Sequence, residues 1–347
     1  MSGALVARAL RDPASVLALD AAGWTELLCA ARAETLIGSL AHRVEGLAIP
    51  AAAVRVLADA RAAAEQGRMA ALWEAEMARR ALAPSGIPVV LLKGTAFVAS
   101  GLAAGQGRQI GDLDILVPRA RVEEAEALLL AAGWEWVKPD PYDDAYYRRW
   151  MHELPPLIHR TRDRMIDVHH TILPLTARPK PDADALIVRS ELLENGLRVL
   201  APEDIVIHAA AHLIADGDMQ GGLRNLWDID RLCREFSERS EDFYLSLYEQ
   251  AHGHGLLAAV TRALRLSHQL FDTPVVGYTN PIRVDLNPRP SDALFRRRLL
   301  ARDGWSRRTR KLTKSAFYLR GHWLRMPPLM LAKHLWTKWR KGYRPVG

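Results

Sequence analysis

The strongest constraint on the fold is residues 112–117 (DLDILV), where two acids alternate with aliphatic residues. In an extended strand, alternate side chains point to opposite faces, so Asp112 and Asp114 share one face. Two neighbouring carboxylates on an otherwise apolar strand repel each other, and burial raises that cost unless a cation lies between them. The pattern therefore predicts a divalent cation, and all-oxygen ligands favour Mg²⁺ or Mn²⁺. For an isolated pair, an exposed edge strand with solvated aspartates is the alternative.

A second segment predicts an anion site. Residues 87–92 are typical of a buried strand, which runs into Lys93, Gly94 and Thr95 and then into a helix over residues 96–102. Backbone N–H groups point outward at such a turn, and a glycine lets the chain pass close to a phosphate. The lysine and the threonine add a charge and a hydroxyl. The sequence thus predicts that this turn binds phosphate.

A third segment adds one more acid. Residues 154–160 and 164–170 are predicted to form a β-hairpin. In the second strand Met165, Asp167 and His169 share a face by the same alternation, and Asp167 is the inward acid. We therefore expect Asp167 to join the other two carboxylates.

The loop between these segments contains glycines but no nucleotide-binding signature. No P-loop occurs, and residues 101–111 miss the G-x-G-x-x-G spacing because Ile110 stands at its last position. Arg108 lies in this loop four residues before Asp112. A guanidinium binds phosphate well, so we expect Arg108 to reach the phosphates of a substrate.

Taken together, these segments resemble the nucleotidyltransferase superfamily with the polymerase-β-like fold. Its pattern is an apolar strand ending in glycine, then an acid–apolar–acid strand, then one acid on a later strand. The resemblance is closer still to the bacterial uncharacterised nucleotidyltransferases, which have a Leu-Lys-Gly strand end. That family also has an Arg-x-x-x-Asp-[Ile/Leu]-Asp-[Ile/Leu]-Leu-Val stretch and an Asp-[Leu/Val]-His strand, which residues 108–117 and 166–169 match. The resemblance extends over roughly residues 34–236, including the segment 223–229.

The resemblance implies a metal-dependent transfer of an NMP from an NTP to an acceptor hydroxyl or phosphate, with release of pyrophosphate. Two ions, Mg²⁺ or Mn²⁺, would clamp the attacking and leaving oxygens. The catalytic and metal-binding residues that it implies are Asp112, Asp114 and Asp167. The nucleotide-binding residues that it implies are Lys93, Gly94, Thr95 and Arg108.

Other functions stay open at this point. A catalytically inert relative that binds nucleotide as a regulatory or scaffold protein is one alternative, although such a binder has little use for three acids. A metal-dependent phosphohydrolase is less favoured, because His169 and His170 have no Asp pair shortly downstream. The acceptor is also open, since a small molecule, a peptide or protein side chain and an RNA 3′ end all offer an oxygen nucleophile.

The predicted fold class is α/β (α+β), a small mixed-sheet core flanked by N-terminal and C-terminal helical segments. A length of 347 residues is ample for a globular core. The predicted organisation is an N-terminal helical segment (1–85), the catalytic core (86–175), a helical domain (176–290) and a basic segment with tryptophans (291–347).

Charge is concentrated in the basic segment, residues 291–347. It contains 16 Lys and Arg and two acids, so its net charge is +14 while the rest of the chain carries −7. Basic residues among tryptophans suit a nucleic acid. Residues 329–341, after a break at 326–328, could instead lie on an anionic membrane surface. The third interpretation is a helical cap docked on the acidic body.

Composition indicates a cytoplasmic protein without a transmembrane segment. No apolar run approaches the ~20 residues that cross a bilayer, and residues 1–13 carry charges where a signal peptide is apolar. The two cysteines are too few for a disulfide framework.

Three histidines are further candidates for roles near the site. His208 and His212 have the i, i+4 spacing of a zinc pair, but Ala209 stands where H-E-x-x-H has its glutamate. A structural pair or a lining of the substrate cleft is favoured. His169 is predicted at the rim of the cleft, either as a partner of Asp167 or in catalysis.

Overall fold

A seven-stranded mixed sheet lies among helices. The computed structural model describes residues 2–137, 141–219, 221–275 and 285–325, together with residues 331, 332, 336 and 340. The strands are β1 (Val90–Leu91), β2 (Asp112–Leu116), β3 (Trp134–Trp136), β4 (Leu157–His159), β5 (Met165–His169), β6 (Glu191–Leu192) and β7 (Arg198–Val199). Their order is β3-β4-β5-β2-β1-β7-β6, with β2 parallel to β5 and β1 parallel to β7. The predicted fold class is confirmed.

Helices precede, interrupt and follow the sheet. Before it come α1 (Ser2–Arg11), α2 (Ala21–Ala33), α3 (Ile37–Arg43) and α4 (Ala51–Leu82). Between its strands lie α5 (Lys93–Ala99), α6 (Val122–Ala131), α7 (Pro141–Trp150) and α8 (Ala183–Arg189). After it come α9 (Pro202–Ala210), continued by a π-helical stretch (Ala211–Asp216), α10 (Gly222–Arg239), α11 (Phe243–Gly253), α12 (Leu257–Phe271), α13 (Pro290–Leu299) and α14 (Lys311–Arg325).

The first strand and its helix differ from the sequence prediction. The strand expected over residues 87–92 is shorter, because only Val90–Leu91 form β1. Pro88 has no N–H to donate to a ladder before it, and α5 begins directly after Leu92. The helix expected over residues 96–102 begins at Lys93 and ends at Ala99. Gly101 has φ +66°, a left-handed conformation that ends the helical turn. Lys93, Gly94 and Thr95, which were predicted to bind phosphate, therefore lie in the first turn of α5 itself.

The hairpin of β4 and β5 is confirmed, and one partly buried ion pair joins it to α4, the longest helix of the described residues. Arg162, in the turn between the two strands, donates to both carboxylate oxygens of Glu74 on α4 at 2.6 and 2.9 Å. Its guanidinium also lies 4.8 Å from the centre of the Trp134 ring on β3. Because such a fork is rigid, α4 fixes the position of the strand that carries Asp167.

The described part of the basic segment is docked on the helical body. Phe295 on α13 and Phe317 on α14 are buried edge to face, with ring centres 5.0 Å apart. Asp292 accepts from Arg265 on α12 at 2.8 and 3.2 Å, and Arg302 binds Glu34 near the N-terminus. This packing favours the helical-cap interpretation for residues 290–325. The break at 326–328 lies outside the described residues, as does most of the proposed membrane segment.

Among the residues that the structure describes, no helix is both long enough and apolar enough to cross a bilayer.

Candidate active site

Three carboxylates converge where β2 lies beside β5. The parallel register sets Asp114 directly opposite Asp167 and Asp112 opposite Met165. Oxygen atoms of Asp112, Asp114 and Asp167 all lie within 4.8 Å of one another. The structure thus brings together the three acids that the sequence selected, and it does so by strand pairing rather than by a flexible loop.

Burial and charge differ sharply between these acids. Asp112 is exposed, whereas Asp114 is buried and its Oδ1 accepts from Lys93 Nζ at 2.6 Å and from His169 Nε2 at 2.9 Å. Burial alone would raise the pKa of Asp114, but the charge of Lys93 and the bond from His169 outweigh it and hold that pKa well below its usual range. Asp114 is therefore ionised at neutral pH.

Asp167 has the opposite environment. Burial, reinforced by the charges of Asp114 and Asp112, raises its pKa to about 7. Its Oδ1 is buried and has no hydrogen-bond partner. A buried acceptor without a donor, beside two like charges, is the environment that a divalent cation relieves. The donor set therefore fits Mg²⁺ or Mn²⁺.

Lys93 was expected to bind phosphate, and the structure gives it a second role. Its φ of +49° turns the chain from β1 into α5 and directs the ammonium towards Asp114. Burial lowers the pKa of Lys93, but the charge of Asp114 outweighs this effect and the pKa is raised. Lys93 is thus a fixed cation that contacts the acidic cluster and also lines the neighbouring pocket.

Gly94 and Arg108 lie in close contact. A Cβ at Gly94 would lie 1.7 Å from Arg108 Nη1, so only glycine leaves room for this guanidinium. Arg108 is buried, forms an ion pair with Asp228 at 3.1 Å and lies 5.2 Å from the centre of the Phe97 ring. The glycine that was expected to admit a phosphate thus also accommodates the guanidinium, and its contact with phosphate stays a prediction.

Thr95 follows Gly94 in the first turn of α5. It is buried, and its Oγ1 has no hydrogen-bond partner. The expected contact with phosphate stays a prediction.

A narrow pocket adjoins the acidic cluster on the side of α9 and α10. Its polar lining includes Lys93, Arg108, His208, His212, Arg224 and Asp228. Burial, followed by the charge of Arg108, lowers the pKa of Arg224 to about 10, so this side chain is still cationic at neutral pH. Three cations against one carboxylate make the pocket attractive to an anion.

Sequence reasoning did not select Arg224 or Asp228 as site residues. The signal was the segment 223–229, which is part of the resemblance but begins 56 residues after Asp167 and more than 100 residues after Asp112 and Asp114. For His208 and His212, the expected lining of a cleft agrees with their place in the pocket. Burial and the nearby Lys93 charge hold the pKa of His208 well below its usual value, so His208 is neutral.

The prediction for His169 was wrong. The residue is 1% exposed rather than at the rim of the cleft, and it bonds to Asp114 rather than Asp167. The reason is strand register, which sets His169 beside Leu116 at the buried end of the pair of strands. Its other ring nitrogen, Nδ1, lies 3.4 Å from Glu153 Oε2. Glu153 and the adjacent His152 were missed because they lie in the irregular segment after α7.

Comparison with known proteins supports the sequence resemblance. Residues 20–272 match the model of a family described as uncharacterised nucleotidyltransferase. A search of curated proteins found no significant match. The matched range includes the sheet, the acidic cluster and the pocket.

Proposed function

The chain belongs to this family of uncharacterised nucleotidyltransferases, and from that premise we propose that it transfers an NMP from an NTP to an acceptor oxygen and releases pyrophosphate. The observation that carries the proposal is the opposition of Asp114 and Asp167 on parallel strands, with Asp112 beside them. Their carboxylate oxygens are close enough to share divalent cations.

In this proposal Asp112, Asp114 and Asp167 hold Mg²⁺ or Mn²⁺. Bound there, the ions would supply Lewis-acid stabilisation of the charge that develops on the reacting phosphate. The buried Oδ1 of Asp167 provides a ligand atom that no protein group uses. The carboxylate of Asp112 is exposed and therefore accessible to a substrate.

The cationic pocket provides a place for the phosphates of the donor. Lys93, Arg108 and Arg224 line it, and each of them forms an ion pair with an acidic side chain. Negative charge accumulates on pyrophosphate as it leaves, so preorganised cations stabilise the transition state more than the ground state. These side chains thus bind the triphosphate and favour its cleavage.

The acceptor is an oxygen nucleophile whose class the site chemistry does not select. If it is RNA, the transfer will depend steeply on salt, and neutralising basic residues in 291–347 will flatten that dependence. Salt-independent transfer to a small molecule or a protein would argue against RNA.

A second candidate function is a regulatory or scaffold protein that binds nucleotide without transferring it. One observation favours it: Asp114 Oδ1 already accepts from both Lys93 and His169, which satisfies this oxygen without a metal ion. The two candidates differ in turnover, not in nucleotide binding.

The test is a turnover assay with each of the four α-labelled NTPs, Mg²⁺ or Mn²⁺, and cell extract as a pool of acceptors. Asp112→Asn and Asp167→Asn are run beside the wild type, with Asp163→Asn as a matched control because Asp163 is an exposed acid in the β4–β5 turn. Label that moves to a molecule in the extract, and is lost only in the first two variants, supports transfer. Metal-dependent NTP binding without movement of label, whatever extract is supplied, favours the regulatory protein.

A further inference from the structure

A second cluster of metal-binding side chains adjoins the acidic cluster. One ligand atom from each of His152, Glu153 and His169 lies within 4.8 Å of the others. Glu153 Oε2 lies 3.6 Å from His152 Nε2 and 3.4 Å from His169 Nδ1. Two imidazoles and one carboxylate are a ligand set different from the three aspartates, and they favour a different metal.

The backbone holds this cluster in place. Glu153, which lies shortly before β4 in the chain, forms an isolated antiparallel bridge with His169 of β5. On either side, Leu154 N donates to Val168 O and His170 N donates to His152 O, both at 2.9 Å. The side chain of His169 is 1% exposed, and those of His152 and Glu153 are 11% and 16% exposed. The three groups are thus partly dehydrated and fixed before any ion arrives.

The two nitrogens of His169 have different environments. Asp114 accepts from Nε2 at 2.9 Å, and because a carboxylate can only accept, this bond sets the hydrogen of the ring on Nε2. The lone pair of Nδ1 then points towards Glu153 Oε2, which is also an acceptor. Nδ1 is buried and has no hydrogen-bond partner. Two acceptors that face each other at this distance repel unless a cation lies between them.

We propose that His152, Glu153 and His169 bind a transition-metal ion, Zn²⁺ by the chemistry of its ligands. Ligand atoms at about 2.0–2.1 Å from a tetrahedral zinc are about 3.4 Å from one another, close to the separations found here. Three protein ligands leave the fourth position to a water molecule. The separations of Glu153 Oε2 from His152 Nε2 and His169 Nδ1, 3.6 and 3.4 Å, are too long for good hydrogen bonds and suit coordination of one shared ion.

The bond from His169 to Asp114 supports the proposal independently. Histidines that bind a metal generally donate their other ring N–H to a carboxylate, which fixes the ring and raises its basicity. Asp114 occupies that position. The ion would therefore act as a positioning centre for His169 and, through it, for Asp114 of the acidic cluster. This role goes beyond the proposed transfer and is testable without any nucleotide.

The experiment measures Zn²⁺ binding to the full-length chain by titration calorimetry, after chelation and with Mg²⁺ in excess to occupy the oxygen ligands. We expect one Zn²⁺ per chain and a visible absorption band when Co²⁺ replaces it. His152→Ala and Glu153→Ala should each weaken binding at least ~10-fold, since loss of an outer partner alone costs about 10–100-fold. His170→Ala is the matched control, because it removes a neighbouring buried histidine outside the cluster.

Three outcomes would overturn the proposal. The first is a wild-type protein that binds no Zn²⁺ and gives no Co²⁺ band. The second is binding that is lost in Asp112→Asn but kept in His152→Ala, which would assign the ion to the aspartates. The third is equal loss in His170→Ala, which would indicate general damage. Circular dichroism identifies a variant that fails to fold. If His152→Ala fails to fold, the Zn²⁺ affinity of Glu153→Ala decides the result.

Discussion

Asp114 on β2 and Asp167 on β5 are directly opposite each other in parallel register, yet their surroundings shift the two pKa values in opposite directions. Lys93 and His169 both bind Asp114, whereas Asp167 Oδ1 is buried without a donor. The pKa of Asp114 is consequently held below its usual value, and that of Asp167 is raised to about 7 by burial and by its acidic neighbours. One strand pair thus combines a permanent anion with a group that changes its charge near neutrality.

The first prediction concerns stability against pH in the metal-free protein. An unfolded Asp167 has a pKa near 3.8 and the folded one about 7, so between these values the folded chain holds the extra proton. The contribution of Asp167 to the free energy of unfolding therefore falls as the pH rises through this window, by about 1 kcal/mol per pH unit. His169, His170 and His208, whose pKa values are lowered by burial, contribute in the opposite direction over the lower part of this window. Urea unfolding in EDTA at several pH values between 4 and 7 measures the slope.

The control for this slope is a pair of substitutions. Asp167→Asn should remove the contribution of Asp167, so its free energy of unfolding should rise more with pH than that of the wild type. Asp163→Asn in the adjacent turn should leave the wild-type pH dependence unchanged. An unchanged pH dependence in Asp167→Asn would contradict the prediction.

The second prediction concerns added metal. Mg²⁺ must displace the proton from Asp167, so its binding improves as the pH rises through about 7. We expect the increase in melting temperature on adding Mg²⁺ to be larger at pH 8 than at pH 6. The same comparison in Asp112→Asn should give a smaller increase at both pH values, because one ligand is lost. Equal increases at pH 6 and pH 8 would exclude Asp167 as a ligand.

Local sequence patterns predicted the acidic cluster well, and the reason is physical. A strand has a fixed two-residue period, so the shared face of Asp112 and Asp114 follows from their spacing alone. The hairpin that carries Asp167 follows from two apolar strands around a polar turn. Each signal lies within a few residues, and pairing of β2 with β5 then brings the three acids together.

Contacts between distant segments could not be predicted in the same way. The Arg108–Asp228 pair joins residues 120 positions apart, and no local sequence pattern around either residue indicates that they pair. His169 was predicted at the cleft rim because alternation gives the face of a residue but not its depth along the strand. The cluster with His152 and Glu153 depends on an isolated bridge after α7, which has no periodic pattern.

The third prediction tests the contact between Gly94 and Arg108. Gly94→Ala places a methyl group where Arg108 Nη1 lies, so the guanidinium must move and Asp228 loses its shorter ion pair, while Arg224 stays 4.0 Å away. We expect a loss of about 1–3 kcal/mol in the free energy of unfolding. Gly111→Ala is the control, because a Cβ there meets nothing within 4 Å.

A double-mutant cycle measures how this contact couples the two positions. In an Arg108→Ala background the methyl group has room, so Gly94→Ala should then cost less by about 1 kcal/mol. Additive effects would show that the two residues do not act through each other.

The fourth prediction separates the roles of Lys93. Lys93→Met keeps the length of the side chain and removes the cation from buried Asp114, so the free energy of unfolding should fall by about 3 kcal/mol. If Lys93 also stabilises the departing pyrophosphate, transfer should fall by about 100-fold in protein that is still folded. Addition of Mg²⁺ should restore more stability to this variant than to the wild type, because Asp114 has lost its cation. Full transfer activity in the folded variant would limit Lys93 to a structural role.

The last prediction concerns the ion pair that holds α4 against the β4–β5 hairpin. Glu74 is buried and takes a two-point bond from Arg162, so Glu74→Ala leaves that guanidinium partly buried without its counter-ion. We expect the free energy of unfolding to fall by about 3 kcal/mol. Glu65 on the same helix makes an equally short pair with Arg68 in solvent, and Glu65→Ala should cost much less than Glu74→Ala, because solvent screens the exposed pair. Chemical denaturation of both variants tests whether burial, rather than the number of hydrogen bonds, sets the cost, and equal losses would contradict it.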